Sequence, residues 1–201
     1  MPTLQRTNRE ALLAGAAFAL AALTAGGRGR ALDDRLFAWF NGGVHTPALD
    51  RAFKAVTELG SIWASATAAA VLAARGKRRQ AGDAMAAAAA MWLAGQGLKR
   101  MFRRLRPYET GEPNRLLIGK PRGASWPSSH PAVLLTFVLV AGRDLGVTRS
   151  QRGSLAALSG VVGASRVYLG VHYPSDVAGG LLIARALAGV WSRTVSPRVL
   201  D

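Results

Sequence analysis

Six apolar runs, at residues 11–25, 61–74, 83–98, 130–142, 154–165 and 177–191, set the limits on what this chain can fold into. Most fall short of the roughly 18 consecutive apolar residues of an unambiguous membrane span. Each reaches that length once flanking polar residues lie at headgroup depth or face a bundle interior, because long cationic side chains snorkel. Half of the 201 residues are hydrophobic but only 7% are aromatic, so small residues carry much of the apolar fraction. Small residues let helices approach closely. The expected fold is all-α, a six-transmembrane-helix bundle in a single domain over residues 1–201.

The stretch 31–60, between the first two runs, has a different pattern. Thr46 can cap a helix with Pro47 at its first position, and Gly60 can close it. Leu49, Ala52, Phe53 and Val56 then share one face, opposite Asp50, Arg51 and Lys54. Upstream, Leu32, Leu36, Phe37 and Phe40 mark a shorter amphipathic piece, set apart by Asn41, Gly42 and Gly43. One or two interfacial amphipathic helices after the first span are expected here. Ordinary surface helices of a soluble protein are the plainer account of the same pattern.

Lys and Arg total 26 against 11 Asp and Glu, a net charge of +15. Such an excess favours anionic partners: phosphorylated ligands, acidic lipid headgroups or nucleic acid. Nucleic acid is set aside, because the basic residues cluster between apolar runs with no aromatic-interleaved strands and no zinc-finger spacing. The chain has no cysteine, which excludes disulfides and thiolate metal sites. Arg75, Lys77, Arg78 and Arg79 form a compact basic loop, and Arg6 and Arg9 precede the first run. The positive-inside tendency makes both cytoplasmic, with residues 1–10 a cytoplasmic N-terminus. Alternation then puts regions 99–129 and 166–176 together outside, although these loops are basic as well. A competing account makes the first run a signal peptide cleaved near Gly26, leaving a secreted soluble protein.

Three blocks in the second half carry the chemistry. In the first, Lys99 and Arg106 stand two helical turns apart and would project from nearly one face of a continuing helix that Pro107 ends. Two cations so placed can flank phosphate oxygens, though a cationic edge at lipid headgroups explains them equally well. In the second, Pro127, Ser128, Ser129 and His130 open an apolar run. Its free N–H groups suit a phosphate, its serines add hydroxyl donors, and His130 can give a proton to a leaving oxygen. Capping alone also accounts for the serines. In the third, Arg166 and His172 follow the fifth run and Asp176 begins the sixth. Asp176 can accept from one imidazole nitrogen and leave the other free to attack phosphorus. A lone histidine is more often structural, but two of the three histidines fall in these blocks. His45, the third, reads as structural or interfacial. The combined chemistry points to a phosphatase.

These blocks resemble the signature of the type 2 phosphatidic acid phosphatase superfamily. The family pattern runs Lys, six residues, Arg-Pro; then Pro-Ser-Gly-His; then Ser-Arg, five residues, His, three residues, Asp. Lys99, Arg106-Pro107, Pro127-Ser128, His130, Ser165-Arg166, His172 and Asp176 match it, and Ser129 stands where glycine is usual. The resemblance covers about 80 residues, and three ordered blocks are specific where one would be weak. It implies His172 as nucleophile forming a phosphohistidine, Asp176 as its orienting partner and His130 as general acid. It implies Lys99, Arg106, Ser128, Ser129 and Arg166 as phosphate ligands, with no metal and no cofactor. For the integral-membrane branch it also implies a six-helix layout, membrane lipids as surroundings and an active site facing away from the cytoplasm.

The leading expectation is therefore a cell-membrane lipid phosphatase acting on a phosphate or diphosphate. Undecaprenyl diphosphate, phosphatidylglycerol phosphate, phosphatidic acid and other polyprenyl phosphates all fit, the first with a slight edge by analogy with small bacterial members. The alternatives are a secreted acid phosphatase and, in another class, a non-catalytic phospholipid-binding or transport module. A vanadate-dependent haloperoxidase fits less well, since those relatives are longer and soluble. The loop 108–125, with Glu109, Glu112, Arg115, Lys120 and Arg122, is expected to cover the site mouth.

Overall fold

The computed structural model describes residues 2–111 and 114–196, with side chains from Asn8 onward. Glu112 and the side chain of Arg6 lie outside the described residues. Eight α-helices follow one another: α1 (Pro2–Leu23), α2 (Gly27–Asn41), α3 (Pro47–Glu58), α4 (Ile62–Ala74), α5 (Arg78–Phe102), α6 (Ser129–Asp144), α7 (Arg149–Tyr168) and α8 (Pro174–Thr194). The described residues contain no strand. The six apolar runs fall in α1, α4, α5, α6, α7 and α8, and the stretch 31–60 holds most of α2 and all of α3.

Local chemistry sets the helix starts. Thr46 Oγ1 accepts from the Leu49 N–H at 3.1 Å ahead of Pro47, as its capping role requires. Ser61 does the same for Ala64 at 3.1 Å. Thr148 and Gln151 form a reciprocal capping box at the start of α7. Gly60 is no simple helix stop. A Cβ there would lie 2.8 Å from the His130 Cβ and 2.7 Å from a Val162 methyl, so its smallness lets the α3–α4 turn close over α6 and α7.

The interior is built on α5, α6 and α8. α4 lies against α5, α7 against α6, α3 against α7 and α1 against α8. Ala84, Ala87 and Ala88 of α5, Ala132 of α6 and Ala184 of α8 are fully buried. Alanine at these contacts lets the backbones approach closely, which explains why an aromatic-poor chain still has a packed interior. α1 is an integral layer: Ala17 is fully buried, and Glu10 pairs with Arg193 of α8 at 2.9 Å. Asp83 of α5 is fully buried, accepting from Trp191 Nε1 at 2.8 Å and Arg143 Nη2 at 3.2 Å. It ties the start of α5 to the ends of α6 and α8.

Large apolar side chains also point outward. Leu12, Trp39, Trp63, Leu93 and Met101 are each more than half exposed. Among the described residues no single helix is long and apolar enough to cross a membrane. Two bent pairs meet that requirement jointly: residues 8–23 with α2, bent by 92°, and α3 with α4, bent by 62°.

Candidate active site

The chain does not run as one helix from Lys99 to Pro107, as their spacing suggests. α5 stops at Phe102, where Arg103 takes a left-handed conformation (φ 46°) and its N–H closes on the Lys99 carbonyl at 3.1 Å. Arg106 is extended (φ −82°, ψ 159°), because a residue before proline is pushed out of the helical region. Chain reversal, not helical periodicity, brings the two cations together. Lys99 Nζ donates to the carbonyls of Ala124 (2.8 Å) and Ser125 (3.3 Å). Arg106 donates to Gly123 (2.9 Å), Ala124 (3.3 Å) and Val171 (2.9 Å). The two side chains thereby lash residues 123–125 to the loop ahead of α8.

Ser128 occupies the N-cap of α6, but its hydroxyl caps nothing. The Oγ atoms of Ser128 and Ser129 are both buried without a hydrogen-bond partner. Capping therefore does not explain these serines. A Cβ at Gly95 would lie 3.1 Å from Ser129 Oγ, so α5 leaves room for the larger residue where the family pattern has glycine.

Arg166, near the end of α7, reaches Thr57 Oγ1 at 2.9 Å, while its Nε is buried without a partner. His172 lies in the turn between α7 and α8. Its Nδ1 is 3.3 Å from Asp176 Oδ2 and its Nε2 is 3.3 Å from Arg106 Nη1. Asp176 Oδ2 also accepts from the Tyr173 N–H at 2.8 Å and from the Ser125 hydroxyl, which fixes the carboxylate that orients the ring. Burial, reinforced by the positive charges of Lys99, Arg106 and Arg166, holds the His172 pKa well below the ordinary 6.5. The imidazole is thus neutral at physiological pH, with the Nε2 lone pair directed away from Asp176.

These groups converge. Lys99, Arg106, Ser129, His130, Arg166 and His172 line one cavity of about 270 Å³. Trp63 and Ile62 of α4 and Trp92 and Gln96 of α5 form its other side, and Pro121 and Arg122 place part of the 108–125 loop on its wall. Ser128 and Asp176 do not line it; both are fully buried, Asp176 against His172 and Ser128 with its N–H on the Asp176 carbonyl at 3.0 Å. Lys99, Arg106 and Arg166 are 8%, 2% and 4% exposed, and none of them forms an ion pair among the described residues. Buried cations without counter-charges are costly unless a ligand supplies one. A tetrahedral oxyanion fits the size, the charge and the idle hydroxyls. Among the described residues no three His, Asp or Glu side chains are grouped so as to hold a metal ion.

The family model of the PAP2 superfamily matches residues 80–199, which contain every one of these groups except Thr57 and the α4 wall. The chain belongs to the PAP2 superfamily. A decaprenylphosphoryl-5-phosphoribose phosphatase of Mycolicibacterium smegmatis is 34% identical over 144 residues, covering 69% of this chain and 72% of that protein. An undecaprenyl-diphosphatase of Sulfolobus acidocaldarius is 31% identical over 109 residues, covering 52% of this chain and 48% of that protein, so that match spans about half the relative's length. In fold, the chain is similar to the transmembrane PAP2 type phosphatidylglycerolphosphate phosphatase of Bacillus subtilis, with a TM-score of 0.72, 20% identity, and coverage of 92% of this chain and 94% of that one.

The PAP2 blocks leave out two residues that the structure brings to the site. Arg104 Nη1 donates to Asp176 Oδ1 at 2.7 Å, and its Nη2 donates to Asp33 Oδ2 of α2 at 2.6 Å. In the sequence Arg104 is one of the five cations from Lys99 through Arg106 and carries no distinguishing mark. Asp33 has a weak signal: with Phe37 and Asn41 it forms a buried i, i+4, i+8 stripe, an odd place for a carboxylate. His45 stays away from the cavity, its ring 4.3 Å from that of Tyr168 and its Nδ1 3.2 Å from Asp50.

Proposed function

We propose that this chain is an integral-membrane lipid phosphatase that transfers a phosphoryl group to His172 and then to water. One observation carries the reading: three buried cations without carboxylate partners surround an imidazole whose far nitrogen is held by Asp176. In the first step His172 Nε2 attacks phosphorus. The bond from that phosphorus to the leaving oxygen breaks as His130 gives the oxygen its proton, the leaving group being the lipid alcohol of a monophosphate or the lipid-bound phosphate of a diphosphate. In the second step water attacks the phosphohistidine, His130 takes the water's proton, and the N–P bond breaks to release inorganic phosphate. Lys99, Arg106, Arg166 and the Ser129 hydroxyl bind the equatorial oxygens, with cations supplying the charge neutralisation, while Ser128, buried behind the cavity, anchors the α6 start. Asp176 keeps the His172 proton on Nδ1.

The substrate is a polyprenyl phosphate or diphosphate, with undecaprenyl diphosphate favoured. The relatives' names support this class, and the wall of Ile62, Trp63 and Trp92 supports a lipid-bearing oxygen at the phosphate cavity. Membrane residence is supported by the outward apolar side chains and by the fold shared with the transmembrane relative. Lys99 lies at the end of α5 and the basic loop 75–79 at its start, so a site facing away from the cytoplasm follows if that loop is cytoplasmic. Removing a cleaved N-terminus at Gly26 would strip α1 from α8, which weighs against a secreted phosphatase. A passive binding module has no need of an imidazole oriented for attack.

The test is a rapid quench with labelled undecaprenyl diphosphate in detergent micelles. Acid-labile, base-stable label on His172, absent from His172→Ala, is expected; phosphate release without it overturns the mechanism. Because the chain lacks cysteine, single cysteines at Lys77 and Lys120 report sidedness, the second being the one labelled from outside.

A further inference from the structure

One charge near the site holds two carboxylates at once, and the phosphatase reading gives it no role. Arg104 is nearly buried, its side chain 11% exposed, and its guanidinium spans Asp176 of α8 and Asp33 of α2. Asp33 is itself 3% exposed, and it accepts from the Ser175 N–H at 3.0 Å and from the Ser175 hydroxyl. Arg104 Nη1 also reaches Ser175 Oγ at 2.6 Å. Two carboxylates thus share one guanidinium. One belongs to the turn that carries the nucleophile, and the other to a helix distant in sequence.

α2 holds that turn at a second point. Tyr173, adjacent to His172, lies between Arg104 and Arg30, each guanidinium carbon 4.5 Å from the ring centroid. Arg30 Nη2 donates to the Tyr173 hydroxyl at 2.6 Å, and Arg30 pairs with Asp34 at 2.9 Å. The opposite side of α2 carries Leu32, Leu36 and Trp39, all exposed.

We propose that Asp33 and Arg104 are positioning residues for the phosphatase, a buried Asp33–Arg104–Asp176 relay by which α2 sets the charge and orientation of the carboxylate behind His172. The proposal rests on the reading of His172 as nucleophile. Arg104 places an opposite charge in contact with the fully buried Asp176 carboxylate, which offsets the cost of desolvating it. Asp33 balances Arg104, so that the guanidinium does not withdraw the carboxylate from the imidazole. The charged and titratable groups around the His172–Asp176 pair are Lys99 of α5, Arg104 and Arg106 after it, His130 of α6, Arg166 of α7, Tyr173 beside it, and Asp33 with Arg30 and Asp34 of α2. Arg104 lines no part of the cavity and contacts Asp176 directly, and Asp33 reaches the pair through Arg104 and Ser175.

Coulomb's law gives the test its sign. Arg104→Gln removes a positive charge from the pair, so the pair takes up a proton more readily and the acid limb of kcat/KM moves to higher pH, by about one unit. Asp33→Asn removes a negative charge one step further away, so the acid limb moves the other way, by less. Arg104→Lys keeps the charge and loses the fork: its limb stays near wild type while kcat falls about tenfold. The experiment measures p-nitrophenyl phosphate hydrolysis against pH for the full-length chain in detergent micelles, with each variant's KM and melting temperature. Opposite limb shifts with KM within about twofold of wild type are expected. Limbs that do not move, or move together, overturn the relay and leave Arg104 a structural brace. If Arg104→Gln does not fold, Asp33→Asn decides alone, an unmoved limb refuting the proposal. Wild-type phosphohistidine, trapped in the same preparation, tests the underlying reading separately.

Discussion

The Ser128 N–H donates to the Asp176 carbonyl at 3.0 Å, joining the first turns of α6 and α8 main chain to main chain. That bond sets the His130 end of the site against the His172 end. Gly180 makes it possible, since a Cβ there would lie 2.5 Å from the Ser128 carbonyl oxygen. Backbone cannot swing aside as a side chain can. Gly180→Ala should cost about 1–3 kcal/mol by overpacking, and the displaced α6 start should lower kcat about 100-fold. Melting temperature and kcat in detergent check both; unchanged kcat would show that the two helix starts need no fixed spacing.

Acid should act on stability through His172. Its folded pKa lies well below 6.5, so below that pH the unfolded chain binds a proton that the folded chain refuses. Stability is then lost as pH falls from about 6.5 toward the folded value, at up to about 1.4 kcal/mol per pH unit. His172→Asn has no such proton to bind. The difference in melting temperature between wild type and His172→Asn should therefore move in the variant's favour between pH 7.5 and pH 5, and a constant difference refutes the assignment.

Stability and chemistry should separate at the far end of α5. Asp83→Ala leaves the Trp191 indole and the Ser196 hydroxyl without their acceptor, while Arg143 keeps Asp144 and the Ser192 carbonyl, so the loss should cost about 1–3 kcal/mol. None of these residues lines the candidate active-site cavity. The protein that remains folded should keep kcat within about twofold, measured after normalising for active fraction. A large fall in kcat would reveal coupling along the bundle.

Alanine packing gives a paired test. Ala87 is fully buried and Ala86, its neighbour on α5, is exposed. Ala87→Leu should destabilise by about 1–3 kcal/mol, and Ala86→Leu should be close to neutral. Equal melting temperatures would mean that the helix faces are not distinguished by close packing.

Much of the candidate site was legible in sequence because the residues that the structure brings together come in short blocks. His172 and Asp176 lie four residues apart across the start of α8, so the local chain sets them 3.3 Å from each other. Ser128, Ser129 and His130 likewise share one helix start. The joint between Lys99 and Arg106 was misread, because helical spacing gives no warning that Arg103 turns left-handed and ends α5 early. Asp33 and Arg104 were missed because nothing within a few residues of either distinguishes it from a surface charge.

The linear order of residues determined the helical class, the capped starts at Thr46, Ser61 and Thr148, and the make-up of each short block of the candidate site, since these depend on interactions across a few residues. Tertiary structure alone decided that the three blocks share one cavity, that Asp33 of α2 balances Arg104, and that Gly60 and Gly180 admit close neighbours. Those contacts join segments up to about 100 residues apart, and their geometry follows from how α1 to α8 pack, which no local pattern encodes.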